Sequence, residues 1–351
     1  MIELPSYVVW LALSVELTAV PIAATILVPT HNHGATLLMS VASALQQTVE
    51  NVEVFIVGDG VTEETREAAT YLVKLDKRVR FFDKPKASLR GEIHRHTALK
   101  EASGNIVCYL SDDDLWFPDH LEQMFYLLAD SDFALSMSIA CYPDGSTKIW
   151  WNDTDTSADW ERMLSCRSGP PLSTGGHTLD LYRQLREGWT ASPPGVPSDL
   201  YFWRKLVQHP GCRFRSEIRP TVLKFCSLSR QGWTNEARAA ELAAWRDMLC
   251  NHTHRQRLIF EALDRLIREE RRYFPAKLAE QESVAQAWRR SAEEQKEVAE
   301  AWRSSAHALE AQLGSMKGSR TWRLNRWLNR VPLFAVLNRA LASARASAKA
   351  P

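Results

Sequence analysis

Short, almost wholly apolar runs alternate with segments whose apolar residues recur every three or four positions, from Ala23 to about Leu121. A brief apolar run closed by turn formers reads as a strand buried on both faces. Recurrence at three and four reads as a helix with one face covered. The runs are "ATILVP", "NVEVFIVGDG", "RVRFFD" and "NIVCYL". Between the first two, residues 35–48 place Leu37, Leu38, Val41, Ala44 and Leu45 on one helical face. "TEETREAATYLVKL" predicts a helix capped by Thr62, with acidic residues in its first turn. Residues 92–102 predict a third helix, with Gly104 as its C-cap. This order predicts an α/β fold with a Rossmann-like, mostly parallel sheet and helices on both faces. Ligands of such sheets sit beyond the carboxyl ends of the strands. Pro29–Asn32, Gly58–Gly60 and Asp112–Asp114 all fall at those ends.

The pattern changes at Phe133. "FALSMSIACYPDGSTKIWW" predicts a hairpin turning at Pro143-Asp144-Gly145. Residues 165–198, rich in Gly, Pro, Ser and Thr, predict a mobile loop or lid holding a short helix. Residues 235–274 are helical in pattern, with a break near Asn251. "AQAWRRSA" at Ala285 returns as "AEAWRSSA" at Ala299, two heptads later. Val284, Trp288, Ser291, Gln295, Val298, Trp302, Ser305 and Leu309 follow a four–three alternation, the seam of a coiled coil. Ser291, Gln295 and Ser305 make that seam weak, and a single amphipathic helix packed on the domain is the plainer reading. The chain thus divides into an N-terminal extension (1–21), an α/β domain (22–234), a helical extension (235–276), a coiled coil (277–316) and a basic amphipathic tail (317–351).

A net charge of +1 argues against general nucleic-acid binding. From Lys317 onward, however, the charged residues are all basic. "SRTWRLNRWLNRVPLF" interleaves Trp322, Leu324, Trp327 and Leu328 with arginines. Such a segment suits an anionic membrane surface, or a helix packed on its own domain or partner coil. The stretch "YVVWLALSVELTAVPIAATILVP" carries Glu16, is broken by Pro21 and lacks a basic leader, so it reads as an extension rather than a membrane span. The six cysteines are scattered without metal or redox spacing, which predicts reduced thiols in a cytoplasmic protein.

Three consecutive aspartates, Asp112 to Asp114, follow the apolar run "NIVCYL". Neighbouring carboxylates raise one another's pKa unless a cation sits among them. Mg²⁺ and Mn²⁺ take such oxygens and share themselves with substrate phosphates. An Asp-x-Asp pair, Asp112 and Asp114, would leave a strand end with both carboxylates on one side. A metal there would bridge a diphosphate and stabilise it as a leaving group. The plainer alternative makes Asp114 a helix cap.

"ILVPTHN", "VEVFIVGDG", an Arg-containing helix ending "ALKEASGN", and "IVCYLSDDDLWFPDHLE" together resemble the family 2 glycosyltransferases of GT-A fold, over about residues 22–228. The resemblance implies a nucleotide-diphosphate sugar donor, a divalent cation (Mn²⁺ or Mg²⁺), inversion at the anomeric carbon, and a glycan or lipid-linked acceptor of the bacterial surface-polysaccharide kind. It places Pro29, Thr30 and Asn32 against the nucleotide, Asp59 against the base, and Arg95 on the helix facing the donor. Asp112, Asp113 and Asp114 fall at the metal motif, with Asp114 favoured as ligand and Asp112 or Asp113 helping. Asp199, in "PGVPSDLYFWRKL", falls at the general base. Arg230, in "CSLSRQGW", falls at a basic residue that reaches the diphosphate, and His177 in "STGGHT" falls near the acceptor. Gly58, Ser111 and Ser198 stand where the family usually has carboxylates, and His96 where it often has asparagine. His31 and His33 offer contacts to phosphate or ribose, or are exposed loop residues. Trp150, Trp151, Trp189 and Trp203 offer faces to sugar rings, or fill the core.

Two other functions fit parts of the pattern. A non-catalytic assembly protein would use the coil, as a homo-oligomer, and the tail, keeping a degenerate transferase domain. A sugar-phosphate nucleotidyltransferase would need a Gly-rich basic loop after the first strand, and "VPTHNHGATL" has neither Lys nor Arg. A cytoplasmic enzyme, peripheral at the inner face of the membrane, is the reading that uses most of the chain.

Overall fold

A computed structural model describes residues 21–150 and 169–318. Residues 1–20 of the N-terminal extension, Trp151, Cys166 and residues 319–351 of the basic tail lie outside the described residues. The described residues form two compact units, divided between Glu269 and Glu270.

The first unit begins with the predicted alternation. Strands β1 (Ala24–Thr30), β2 (Val52–Gly58), β3 (Val79–Phe82) and β4 (Ile106–Tyr109) are parallel, in the spatial order β3-β2-β1-β4. Helices α1 (Gly34–Leu45), α2 (Glu63–Leu75) and α3 (Glu92–Leu99) connect them. Thr62 caps α2 by accepting from the Thr65 N–H. Ile26 and Val28 of β1 pack with Leu37 and Val41 of α1, Leu72 of α2, and Met124 of α4 (His120–Leu128) on one face. Leu27, Phe55, Val57 and Tyr109 point to the other face, against Ala98 and Leu99 of α3 and Phe202 and Trp203 of α6 (Ser198–Val207). Alternate residues of each parallel strand thus feed opposite layers, which is why these strands are apolar throughout.

Gly104 does not cap α3, which ends at Leu99. A Cβ on Gly104 would lie 2.3 Å from the Thr25 amide nitrogen, so the residue is glycine because the chain presses against β1.

The whole sheet is mixed. β6 (Phe133–Cys141) and β7 (Thr147–Trp150) form the predicted hairpin, and β9 (Phe214–Phe225) runs parallel to β6. A short strand, β5 (Leu115–Trp116), pairs antiparallel with β9. Part of the segment read as a lid is built into the sheet instead. β8 (Gly175–Thr178) lies between β4 and β6, antiparallel to both, and α5 (Leu179–Gln184) follows. Its glycines look like loop chemistry in sequence. In the fold a Cβ on Gly175 would meet Trp203 at 2.5 Å, and one on Gly176 would meet Met124 at 2.7 Å. The strand needs glycine because helices press on it from both sides.

Helix α7 (Asn235–Cys250) and the start of α8 (His252–Gly318) cover the far part of the sheet. The break falls at Asn251, as predicted. Leu242, Leu249, Leu258 and Ala262 pack there with Leu115, Ile139, Leu223 and Phe225. In the second unit α8 continues to Gly318, and Val284, Trp288, Val298 and Trp302 are exposed on it. No helix of the described residues is long and apolar enough to cross a membrane. The described cysteines are free thiols.

Candidate active site

The carboxyl ends of β1, β2 and β4 open into a cavity of about 420 Å³. Its wall includes Pro29, Thr30, Asn32, Asp59, Arg95, Asp112, Asp113 and Asp199, so most residues singled out in the sequence meet in one place.

At one end, the turn after β2 carries Asp59. Its backbone N–H donates to the Thr30 carbonyl at 3.1 Å, and its backbone carbonyl accepts from His31 Nδ1 at 2.8 Å. Its carboxylate accepts from the Ala87 N–H at 2.6 Å and pairs with Lys86. Burial works against the Asp59 charge, but these two donors outweigh it and hold the carboxyl below its usual range. Gly91, at φ +75°, packs on this carboxylate; a Cβ there would sit 2.8 Å from Asp59 Cβ. The same glycine starts α3, which carries Arg95. The Arg95 guanidinium lies over the Trp189 ring at 4.7 Å and donates to the Arg90 carbonyl at 2.8 Å. Trp189 and Trp203 are both fully buried, as core residues.

Opposite β4 stands Asp199, in the first turn of α6. Its Oδ1 accepts from the Leu200 N–H at 2.8 Å. Burial pushes its pKa above the usual carboxylate range, against the pull of nearby Arg95 and Lys224. Pro197 precedes the helix and fixes the approach of the chain.

The aspartates after β4 do not continue the strand. The Asp114 N–H donates to the Ser111 carbonyl at 3.2 Å, closing a turn. The turn breaks the two-residue alternation that would set Asp112 and Asp114 side by side. Asp112 and Asp113 face the cavity, whereas Asp114 is turned under the sheet and fully buried. Asp114 accepts from Ser173 Oγ at 2.5 Å, the Phe225 N–H at 3.0 Å and Lys224 Nζ at 3.1 Å. Asp112 Oδ1 lies 3.0 Å from His33 Nδ1. Asp113 Oδ2 accepts from Arg238 at 2.6 Å and Ser227 at 2.9 Å. Burial opposes the Asp113 charge, but Lys224, His33 and Arg238 hold its carboxyl below its usual range.

A divalent cation of the Mg²⁺ or Mn²⁺ kind needs several oxygen ligands within reach. Among the described residues no group of three His, Cys, Asp or Glu side chains is arranged to hold one. Ser111 removes one carboxylate, Asp114 is committed to the fold, and an oxygen of Asp112 and one of Asp113 are already bonded. With Asp114 held by Ser173, Phe225 and Lys224 away from the cavity, the Asp112–Asp114 pair expected to hold the metal is not formed.

Two further expectations meet a different environment. Arg230 is buried against Glu241, at 2.5 and 2.6 Å, and donates to the Cys141 carbonyl at 3.0 Å. It ties α7 to the sheet and does not line the cavity. His177 lies within the sheet, fully buried, bonded to the Tyr109 hydroxyl at 2.7 Å and the Thr178 carbonyl at 2.9 Å. It is not part of the cavity wall either. In exchange the fold brings in Lys86, Arg90 and Lys224, which the sequence did not single out. A lysine inside the apolar run "TVLKF" was a readable signal for Lys224. Lys86 and Arg90, in a polar loop, carried none.

Residues 25–184 match the family described as glycosyl transferase family 2. The matched segment carries the parallel strands, the three aspartates and β8, within the mixed α/β sheet. An uncharacterized glycosyltransferase of Rickettsia bellii is 31% identical over 112 residues, which is 32% of this chain and 16% of that protein. A protein of Escherichia coli described as UDP-Glc:alpha-D-GlcNAc-diphosphoundecaprenol beta-1,3-glucosyltransferase WfgD is 29% identical over 110 residues, 31% of this chain and 42% of that one. The match thus spans less than half the length of either relative. Among solved structures, the mannosyltransferase PcManGT of Pyrobaculum calidifontis, in complex with GDP-Man and Mn²⁺, aligns over 62% of this chain and 59% of that one, with 19% identity and a TM-score of 0.42.

Proposed function

We propose that this chain transfers a sugar from a nucleotide-diphosphate donor to an acceptor hydroxyl, with inversion at the anomeric carbon. One observation carries the reading. A single cavity at the strand ends collects Asp59, the Asp112–Asp113 pair and Asp199, a carboxylate whose affinity for protons is raised. Asp59, held charged between the Ala87 N–H and Lys86, is suited to accept hydrogen bonds from a nucleobase. Pro29, Thr30 and Asn32 line the space beside it, and Arg95 the wall toward Asp199.

Asp199 then serves as general base. The acceptor oxygen attacks the anomeric carbon as its proton passes to the Asp199 carboxylate. The bond from that carbon to the diphosphate oxygen breaks, and its electron pair leaves with the nucleoside diphosphate. Attack opposite to the leaving group inverts the centre. A base with a raised pKa takes the proton more completely in the transition state. WfgD, whose name specifies a UDP-linked donor and a lipid-diphosphate acceptor, supports a glycan or lipid-linked acceptor of surface-polysaccharide type.

The test is turnover of UDP- and GDP-linked sugars, read as release of nucleoside diphosphate. Loss of turnover in Asp199→Asn, with donor binding kept, supports the reading; a variant as active as the natural chain refutes it. A non-catalytic assembly role would leave the cellular function intact in that variant.

Beyond the family 2 segment, the two-heptad repeat supports weak pairing of two copies through residues 277–316. The Trp- and Arg-rich tail supports a place at an anionic membrane surface on the cytoplasmic side. Co-sedimentation with anionic vesicles, unchanged by truncation after Gly318, would count against the second point.

A further inference from the structure

The cations beside the aspartates come from the part of the chain after the family 2 segment. Lys224 is on β9 and Arg238 is on α7, both C-terminal to residue 184. Arg238 sits one turn into α7, behind the cap Thr234. A positive charge near a helix N-terminus opposes the helix dipole, so the helix gives no reason for it. Its surroundings do. Besides its bond to Asp113, Nη2 contacts Ser227 Oγ at 3.1 Å, and Nη1 reaches His33 Nε2 at 3.0 Å. Because a guanidinium only donates, His33 Nε2 accepts and His33 Nδ1 carries the hydrogen given to Asp112. One arginine therefore neutralises Asp113 and orients the histidine that holds Asp112. Lys224 Nζ has three N–H groups and reaches Asp114 Oδ2 and Oδ1 at 3.1 and 3.2 Å, so a hydrogen remains for the cavity it lines.

Three carboxylates, Asp112, Asp113 and Asp114, face two fixed cations, Lys224 and Arg238, and His33 bridges Arg238 and Asp112. A divalent ion added between Asp112 and Asp113 would meet two fixed positive charges and a missing carboxylate at Ser111. We propose that the cations of this diphosphate site are the chain's own, Lys224 at the cavity wall and Arg238 behind Asp113, and that donor binding needs no divalent metal ion. This rests on the nucleotide-sugar reading above. Arg238 is a positioning residue, whereas Lys224 is placed to touch phosphate.

The experiment uses the full chain stripped of metal. Mn²⁺ is first titrated alone, followed by electron paramagnetic resonance, in the natural chain, Arg238→Gln and Asp113→Asn. Removing one adjacent positive charge should tighten Mn²⁺ binding by about tenfold or more in Arg238→Gln. Unchanged Mn²⁺ affinity in Arg238→Gln overturns the proposal, as does tight binding to the natural chain that Asp113→Asn abolishes. Calorimetry with UDP and GDP follows, in EDTA and in Mn²⁺. The natural chain should bind one of them equally in both, and Arg238→Gln should become Mn²⁺-dependent. Lys224→Gln should lose binding in EDTA by about tenfold, and Lys224→Arg should keep most of it. A natural chain that binds only with Mn²⁺ overturns the proposal. If neither nucleotide binds under any condition, the sugar-transfer reading fails, and the Mn²⁺ titration alone decides the charge argument.

Discussion

Asp199 draws its properties from where α6 begins. Replacing it with Asn should lower turnover by roughly a hundred- to ten-thousandfold, the usual contribution of a positioned base. Burial raises its pKa above the usual carboxylate range, so on the proposed role turnover should fall as pH drops through that raised value. Single-turnover rates across acidic pH should show that limb in the natural chain and not in Asp199→Asn. Gly91 is constrained from two sides, by its positive φ and by Asp59. Gly91→Ala should destabilise the fold by about 1–2 kcal/mol, read by urea unfolding, and weaken nucleotide binding. His177 and His120 respond to pH in another way. Burial pushes His177 down to about 4 and His120 to about 3, so both stay neutral in the folded protein. Below about pH 6.5 the unfolded chain takes up protons that the folded chain refuses. Stability should then fall by about 1.4 kcal/mol per pH unit for each histidine until its folded pKa is reached. Urea melts at successive pH values check this, and His177→Asn should flatten the slope.

At the scale of elements, the parallel strands and α1, α2 and the α7–α8 break were legible because each depends on local pattern. An apolar run buried on two faces and a capped, periodic helix are properties of a few consecutive residues. β8 was not legible, since "STGGHT" has the composition of a loop. It becomes a strand because β4 and β6 supply hydrogen-bonding partners on both sides, and because Trp203 and Met124 leave room for nothing larger than glycine. Gly175→Ala should cost about 1–3 kcal/mol by overpacking against Trp203, with a lowered melting temperature. The turn at Ser111–Asp114 was similarly hidden. An extended strand would have paired Asp112 with Asp114, and the turn paired Asp112 with Asp113 instead.

Over the whole molecule, the buried clusters of the first unit draw on residues from Ala24 to Ala262. In the second unit Trp288 and Trp302 are each 73% exposed on α8, fourteen positions apart. Changing both to Ala should abolish self-association in sedimentation velocity if the repeat pairs two copies, and leave nucleotide binding unchanged. A chain that is monomeric before the change would remove the coiled-coil reading.

The sequence by itself determined the class of fold, the rim on which the site lies and the acidic residues gathered there, because periodicity and strand-end chemistry are local. Tertiary structure decided which of those acids face the cavity and what neutralises them. Lys224 and Arg238 are more than a hundred residues from Asp112–Asp114 in the chain, and only the pairing of β9 with β5 and β6 and the packing of α7 bring them together. Charge compensation acts through space, and no stretch of sequence displays it.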